Sequence, residues 1–192
     1  MLLKINKIIS KKNKSKIICL TSYSKNIAEE LDKHADIVLV GDSLGSVLYN
    51  YNTTRKVTLQ NMIDHSKSVR MGVKKSLMVV DMPYQTYRNK SEAITNVRKV
   101  MKLTKCDAVK LEGGQKIKKI IEHLVKNKIP VLGHLGILPQ SVRGKFKIKG
   151  KSQTEIKYLI KEAKLLEKLG VFGIVLECIE TNLAKKITKE IK

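Results

Sequence analysis

Charged and hydroxyl side chains recur in this sequence at the ends of apolar runs, where a buried charge is costly unless something compensates it. Asp42 and Ser43 follow "VLVG", Asp81 follows "LMVV", Lys110 and Glu112 alternate in "DAVKLEGG", His134 lies within "IPVLGHLG", and Glu177 closes "GIVLE". The first such run ends in Thr21, Ser22 and Tyr23. Asp42, Asp81 and Glu112 together offer three carboxylates. An oxygen-only set suits a hard cation such as Mg²⁺, which keeps waters and accepts substrate oxygens. The constellation suggests an enzyme that holds an oxyacid on a metal.

Each residue alone has a plainer reading. Asp42 after an apolar run reads equally as a turn former or helix cap. Asp81 precedes Met82 and Pro83, which also fits a turn. His134 between Gly133 and Leu135 fits a satisfied core histidine. Lys110 and Glu112, two apart on one strand, point to the same face and could be an inward ion pair. Glu177 is the exception, because an unpaired carboxylate straight after "GIVL" would be expensive. Polar residues at every one of these run ends weigh against coincidence.

The runs that carry these residues span 16–23, 36–43, 76–83, 107–114, 129–136 and 171–178. Continuous Val, Ile and Leu suits strands buried on both faces, as in parallel sheets. Helix-period stretches lie between them at about 25–34, 59–71, 91–105, 115–127, 152–169 and 181–191. In the clearest, Ile156, Leu159, Ile160, Ala163, Leu166 and Leu169 form one stripe, Ser152 and Glu155 match a capping box, and Gly170 stops the helix. Six βα units in succession predict an α/β protein with right-handed crossovers. An open dinucleotide-binding sheet would show a glycine-rich turn after its first strand, yet "TSYSKN" has none, and no Walker A sequence occurs. A (β/α)₈ barrel gathers its functional residues from many strand ends, as seen here.

The 192 residues fit a single domain, 1–192, with 42% hydrophobic and 29% charged residues. No apolar run approaches the roughly 20 residues of a membrane span. The start "MLLKINKIISKKNKSK" lacks the apolar core and cleavage site of a signal peptide, so a cytoplasmic chain is expected. Cys19, Cys106 and Cys178 are odd in number, far apart and beside apolar runs, which predicts reduced, buried thiols. The net charge of +22 could mark a nucleic-acid partner. However, the lysines are spread over nearly every helix, alternate with acids and lack interleaved aromatics, so solvated helix faces are the preferred explanation.

Several motifs together resemble the ketopantoate hydroxymethyltransferase family: "VGDSLG" (40–45), "DMPY" (81–84), "VKLEGG" (109–114), "GHLGILPQSV" (133–142) and "VLECIETNLAKKIT" (175–188). The resemblance implies a TIM barrel of the phosphoenolpyruvate/pyruvate superfamily, with Mg²⁺ held by Asp42, Asp81 and Glu112. It implies α-ketoisovalerate as substrate, bound near Asp42, Ser43, Asp81, Lys110 and His134, and methylenetetrahydrofolate as co-substrate. Glu177 matches the proton acceptor. It further implies a homo-oligomer, a decamer being common in full-length bacterial members. One departure is Ser24, where the family often has an acid after the tyrosine of the first strand. Another is length, since a barrel needs eight strands and about 250 residues, so a C-terminally truncated form is expected from the ending "LAKKITKEIK". Other Mg²⁺-dependent 2-oxoacid lyases and mutases share this logic but generally use a "KKCGH"-like loop, which this sequence lacks. A non-catalytic basic fragment binding nucleic acid or a partner is the remaining alternative.

Overall fold

A computed structural model describes residues 2–142 and 144–192. The chain divides into two compact units, Met1–Lys110 and Leu111–Lys192. The first contains helix α1 (Leu2–Ile9), strand β1 (Cys19–Thr21), α2 (Lys25–Leu31), β2 (Ile37–Val40), α3 (Leu44–Tyr49), α4 (Leu59–Gly72), β3 (Leu77–Asp81), α5 (Lys90–Thr104) and the start of β4 (Ala108–Glu112). The second contains the end of β4, then α6 (Lys118–Lys126), β5 (Val131–Gly136), α7 (Gln153–Lys168), β6 (Gly173–Glu177) and α8 (Thr181–Glu190). The six predicted strands and the six predicted helices all form; helices α1 and α3 are additional.

In the first unit β1, β2, β3 and β4 pair in parallel and in chain order. Val38, Val40, Met78, Val79 and Val80 are fully buried, so β2 and β3 have apolar contacts on both faces and need no polar alternation. Helix α4 packs on both strands and lies against α2 and α5. Its start is fixed by a capping box in which Thr58 and Asn61 each satisfy the other's backbone N–H. The register sets Asp81 directly opposite Lys110. Below the sheet, α1 buries Ile5 and Ile8, and Lys4 donates to the Ser76 carbonyl at 2.8 Å. Lys11 pairs with Asp36 at 2.5 Å, and Asp36 also accepts from the Ile18 N–H.

In the second unit β5 and β6 pair in parallel from Leu132 opposite Gly173 to Gly136 opposite Glu177. Leu159, Ala163 and Leu166 of α7 pack with Ile121, Leu135, Leu183 and Ile187, and Ile156, Ile160 and Leu169 flank that cluster. The predicted stripe is therefore the core face of α7. Ser152 caps the helix by accepting from the Glu155 N–H, but Glu155 turns its carboxylate to the Gly150 and Lys151 N–H groups rather than back to Ser152. Gly170 ends the segment at φ +84°, a left-handed conformation that favours glycine.

Among the described residues no helix is long and apolar enough to cross a membrane. The cysteines are free, but only Cys106 is buried; Cys19 and Cys178 are exposed, which corrects the expectation of three buried thiols. The apolar neighbours of Cys19 mark a strand without guaranteeing cover, and β1 is exposed along its whole length. Cys178 lies just past β6 with φ +50°, outside the ladder.

Candidate active site

The first unit brings Asp42, Ser43, Asp81 and Lys110 together. The chain leaves β2 through Gly41, and the Asp42 N–H donates to Asp81 Oδ2 at 3.1 Å, tying the two strand ends. Lys110 Nζ lies 3.0 Å from the same oxygen, and both side chains are almost entirely buried. Asp81 Oδ1 is also buried and has no hydrogen-bond partner among the described residues. An acceptor left so in a dry environment is costly, which marks it for a ligand. Ser43 starts α3, yet its hydroxyl caps no helical N–H and lies 2.8 Å from Tyr23 Oη. Gly41 leaves room for this, since a Cβ there would lie 2.8 Å from Ser43 Oγ. Cys19 belongs to exposed β1, but the atoms around its thiol push its pKa up to about 11, with the Asp81 charge adding and Lys110 opposing. That raised pKa keeps the thiol protonated at neutral pH.

The second unit brings Glu112, His134 and Glu177 together. His134 is fully buried on β5 with Nδ1 3.8 Å from Glu112 Oε1 and Nε2 3.2 Å from Glu177 Oε2. Although the second distance is short, neither ring nitrogen makes an aligned hydrogen bond. The imidazole thus stands between two carboxylates. The Gln140 N–H holds Glu112 Oε2 at 3.1 Å, and Gly113 N–H reaches the His134 carbonyl at 3.0 Å. The Glu177 side chain is 36% exposed, which leaves it accessible to a ligand as well as to His134.

Sequence reading passed over Gln140, His65 and Glu162, and named Tyr23 without giving it a role. Gln140 acts through its backbone, to which residue type gives no clue. Tyr23 and His65 reach the Ser43 hydroxyl and the Tyr23 carbonyl from other elements. Glu162 is buried on α7, where its Oε2 accepts from the Gln115 N–H at 2.9 Å, just beyond the "EGG" turn. Its position within the α7 stripe was the available signal.

The donor chemistry fits a hard divalent cation: Asp42 and Asp81 are buried carboxylates linked at adjacent strand ends, one with an unpartnered oxygen. Among the described residues no three His, Cys, Asp or Glu side chains form a ready-made cage. Mg²⁺ does not require one, because it is commonly held by one or two carboxylates with waters and substrate oxygens.

Residues 3–192 match the family model for ketopantoate hydroxymethyltransferase. The 3-methyl-2-oxobutanoate hydroxymethyltransferase of Pelagibacter ubique (strain HTCC1062) is 65% identical over 189 residues, covering 98% of this chain and 73% of that protein. The enzyme of the same name from Anaplasma marginale (strain St. Maries) is 42% identical over 193 residues, covering 100% of this chain and 70% of that protein. Among solved structures, a phosphonopyruvate hydrolase complex with oxalate and Mg²⁺ aligns with TM-score 0.71 at 8% identity, covering 97% of this chain and 68% of that one. A 2,3-dimethylmalate lyase, a member of the PEP mutase/isocitrate lyase superfamily, aligns with TM-score 0.69 at 11% identity, covering 97% and 66%. These structures establish the α/β fold class, and the sequence relatives establish the family. With the motif-bearing strand ends all inside the matched region, the chain belongs to the ketopantoate hydroxymethyltransferase family, transferases of pantothenate biosynthesis.

Proposed function

We propose that this chain transfers a hydroxymethyl group from methylenetetrahydrofolate to α-ketoisovalerate (3-methyl-2-oxobutanoate), giving ketopantoate, through an enolate. The observation that carries the reading is Asp81, whose buried Oδ1 lacks a partner while Oδ2 is shared by the Asp42 N–H and Lys110. Asp42, Asp81 and Glu112 would hold Mg²⁺. When bound, the ion supplies Lewis-acid polarisation of the keto group. Ser43, Asp42, Asp81 and His134 bind and orient the keto acid. Lys110 adds fixed positive charge where the enolate develops. Glu177 takes the C3 proton as the general base. His134 Nε2 lies 3.2 Å from the Glu177 carboxylate and helps to hold it in place. The C3 electron pair then forms a bond to the folate methylene carbon as one of its two C–N bonds breaks, and water forms the C–O bond as the second breaks, the C3 proton and a water proton going to the two released folate nitrogens.

The reading is tested by exchange of the C3 proton of 3-methyl-2-oxobutanoate in D₂O, followed by proton NMR with Mg²⁺ present. The chain should catalyse exchange without folate, and Glu177→Gln should abolish it while Mg²⁺-dependent keto-acid binding persists. No exchange by the unaltered chain would sink the enolate reading, and normal exchange in Glu177→Gln would rule that residue out as the base.

A further inference from the structure

His65 is on α4 and has no role in the metal, substrate or proton-transfer set given above, yet both its ring nitrogens are engaged. Nδ1 lies 2.8 Å from the Tyr23 carbonyl oxygen. Nε2 lies 2.7 Å from Tyr49 Oη, with the two rings edge to face. A carbonyl only accepts, so Nδ1 carries a proton and donates to it, and the Nδ1–H tautomer leaves Nε2 to accept from the Tyr49 hydroxyl. This fixes the tautomer and joins three elements: the turn after β1, the end of α3, and α4. Tyr23, held by its backbone in this way, places its phenol 2.8 Å from Ser43 Oγ.

Ser43 needs such help. Its hydroxyl makes no cap to α3, and the residue is exposed, so little else fixes its rotamer. A serine hydroxyl that binds substrate must point one way before the substrate arrives, or binding bears the ordering cost. Tyr49 completes the arrangement by packing against Tyr51, which in turn lies against Gly45 of α3.

We infer that His65 is a positioning residue that sets the Ser43 hydroxyl through Tyr23. The inference rests on the reading of Ser43 as a substrate-binding residue, but the relay itself has its own signature. The decisive variants are His65→Ala and His65→Asn. An asparagine amide can occupy the place of Nδ1 and still donate to the Tyr23 carbonyl, whereas alanine cannot.

The first readout is the phenol carbon resonance of Tyr23 in protein labelled at tyrosine Cζ, assigned with Tyr23→Phe. It should move in His65→Ala and in Ser43→Ala and stay near its original position in His65→Asn. The second is affinity for 3-methyl-2-oxobutanoate with Mg²⁺, measured by NMR titration. His65→Ala and Tyr23→Phe should each weaken it roughly three- to ten-fold, the effect of one hydrogen bond. The double variant should be no worse than Tyr23→Phe alone, and His65→Asn should recover most of the loss. Equal loss in His65→Asn and His65→Ala, multiplying effects in the double variant, or an unmoved Tyr23 resonance would each overturn the relay. If the unaltered chain binds no keto acid, the substrate reading falls, and the Tyr23 resonance alone decides the relay.

Discussion

Lys110→Met removes the cation that faces Asp81 in the first unit. Lys110 and Asp81 are 7% and 3% exposed, and Nζ lies 3.0 Å from Oδ2. At an effective dielectric of about 20 their attraction is roughly 5 kcal/mol, against which both have lost their hydration. Methionine fills similar volume, so little of the loss comes from a cavity. What remains is an aspartate whose Oδ1 has no partner and whose Oδ2 keeps the Asp42 N–H. Leaving one member of a buried pair uncompensated costs about 3–5 kcal/mol. Urea unfolding at neutral pH without divalent cations, followed by circular dichroism, should show that loss. Asp81→Asn with Lys110→Met should cost clearly less than the sum of the single changes. Mg²⁺ should then stabilise Lys110→Met, by about 2.7 kcal/mol at a hundred times its dissociation constant. A loss under about 1 kcal/mol, or simple additivity, would show that the pair is not coupled. Indifference to Mg²⁺ in a destabilised variant would remove Asp81 from the metal set.

Two further outcomes follow from the geometry. Asp32 is 8% exposed; burial raises its pKa, but N–H bonds from Ser76, Lys75 and Lys74 outweigh this and hold it at about 2 against an ordinary 3.8. A depressed acid stabilises the fold above its unfolded pKa and loses that contribution as pH falls through its folded one. Asp32 should therefore contribute about 2 kcal/mol at neutral pH, lost between about pH 4 and pH 2. Asp32→Asn should lower the urea midpoint at pH 7 and flatten its fall in that window, and an unchanged pH profile would refute the assignment. Gly136 has φ +100°, and a Cβ there would lie 2.1 Å from the Glu177 carbonyl oxygen. Gly136→Ala should cost about 1–3 kcal/mol and slow C3 proton exchange beyond what the stability loss explains, because the clash falls on the base's own backbone. Exchange at the normal rate in a folded Gly136→Ala protein would contradict this.

The strand pattern was legible because β2, β3 and the buried face of α7 follow local rules. Val38, Val40, Val79 and Val80 need cover on both sides, and the spacing from Leu159 to Leu166 admits one helix face. Helix α1 was hidden because only Ile5 and Ile8 of its apolar residues turn inward, while Leu2 and Leu3 stay exposed among the lysines. Helix α3 was hidden for a different reason. "GDSLG" reads as a turn, and the short helix after it depends on backbone bonds from Gly45 to Asp42 and from Val47 to Ser43. Cys19 shows the limit of neighbour-based burial: the sequence next to a residue identifies its strand, while exposure depends on what lies against that strand.

The site divides along the same line. Which side chains carry charge is written in the strand ends, and the family motifs name them. How each is held depends on groups with no sequence signature: the Asp42 N–H on Asp81, the Gln140 N–H on Glu112, and the Tyr23 carbonyl under His65. Backbone N–H and C=O groups are identical in every non-proline residue, so only the path of the chain decides which of them aim at a carboxylate. This makes substitution effects at the site unequal in kind. Replacing Asp81 or Glu177 removes the chemistry itself. Replacing Gly41, Gly136 or His65 leaves every charged group in place and changes only where it points. The second class should separate binding from stability most cleanly at His65, because asparagine can restore the single donor that Tyr23 requires.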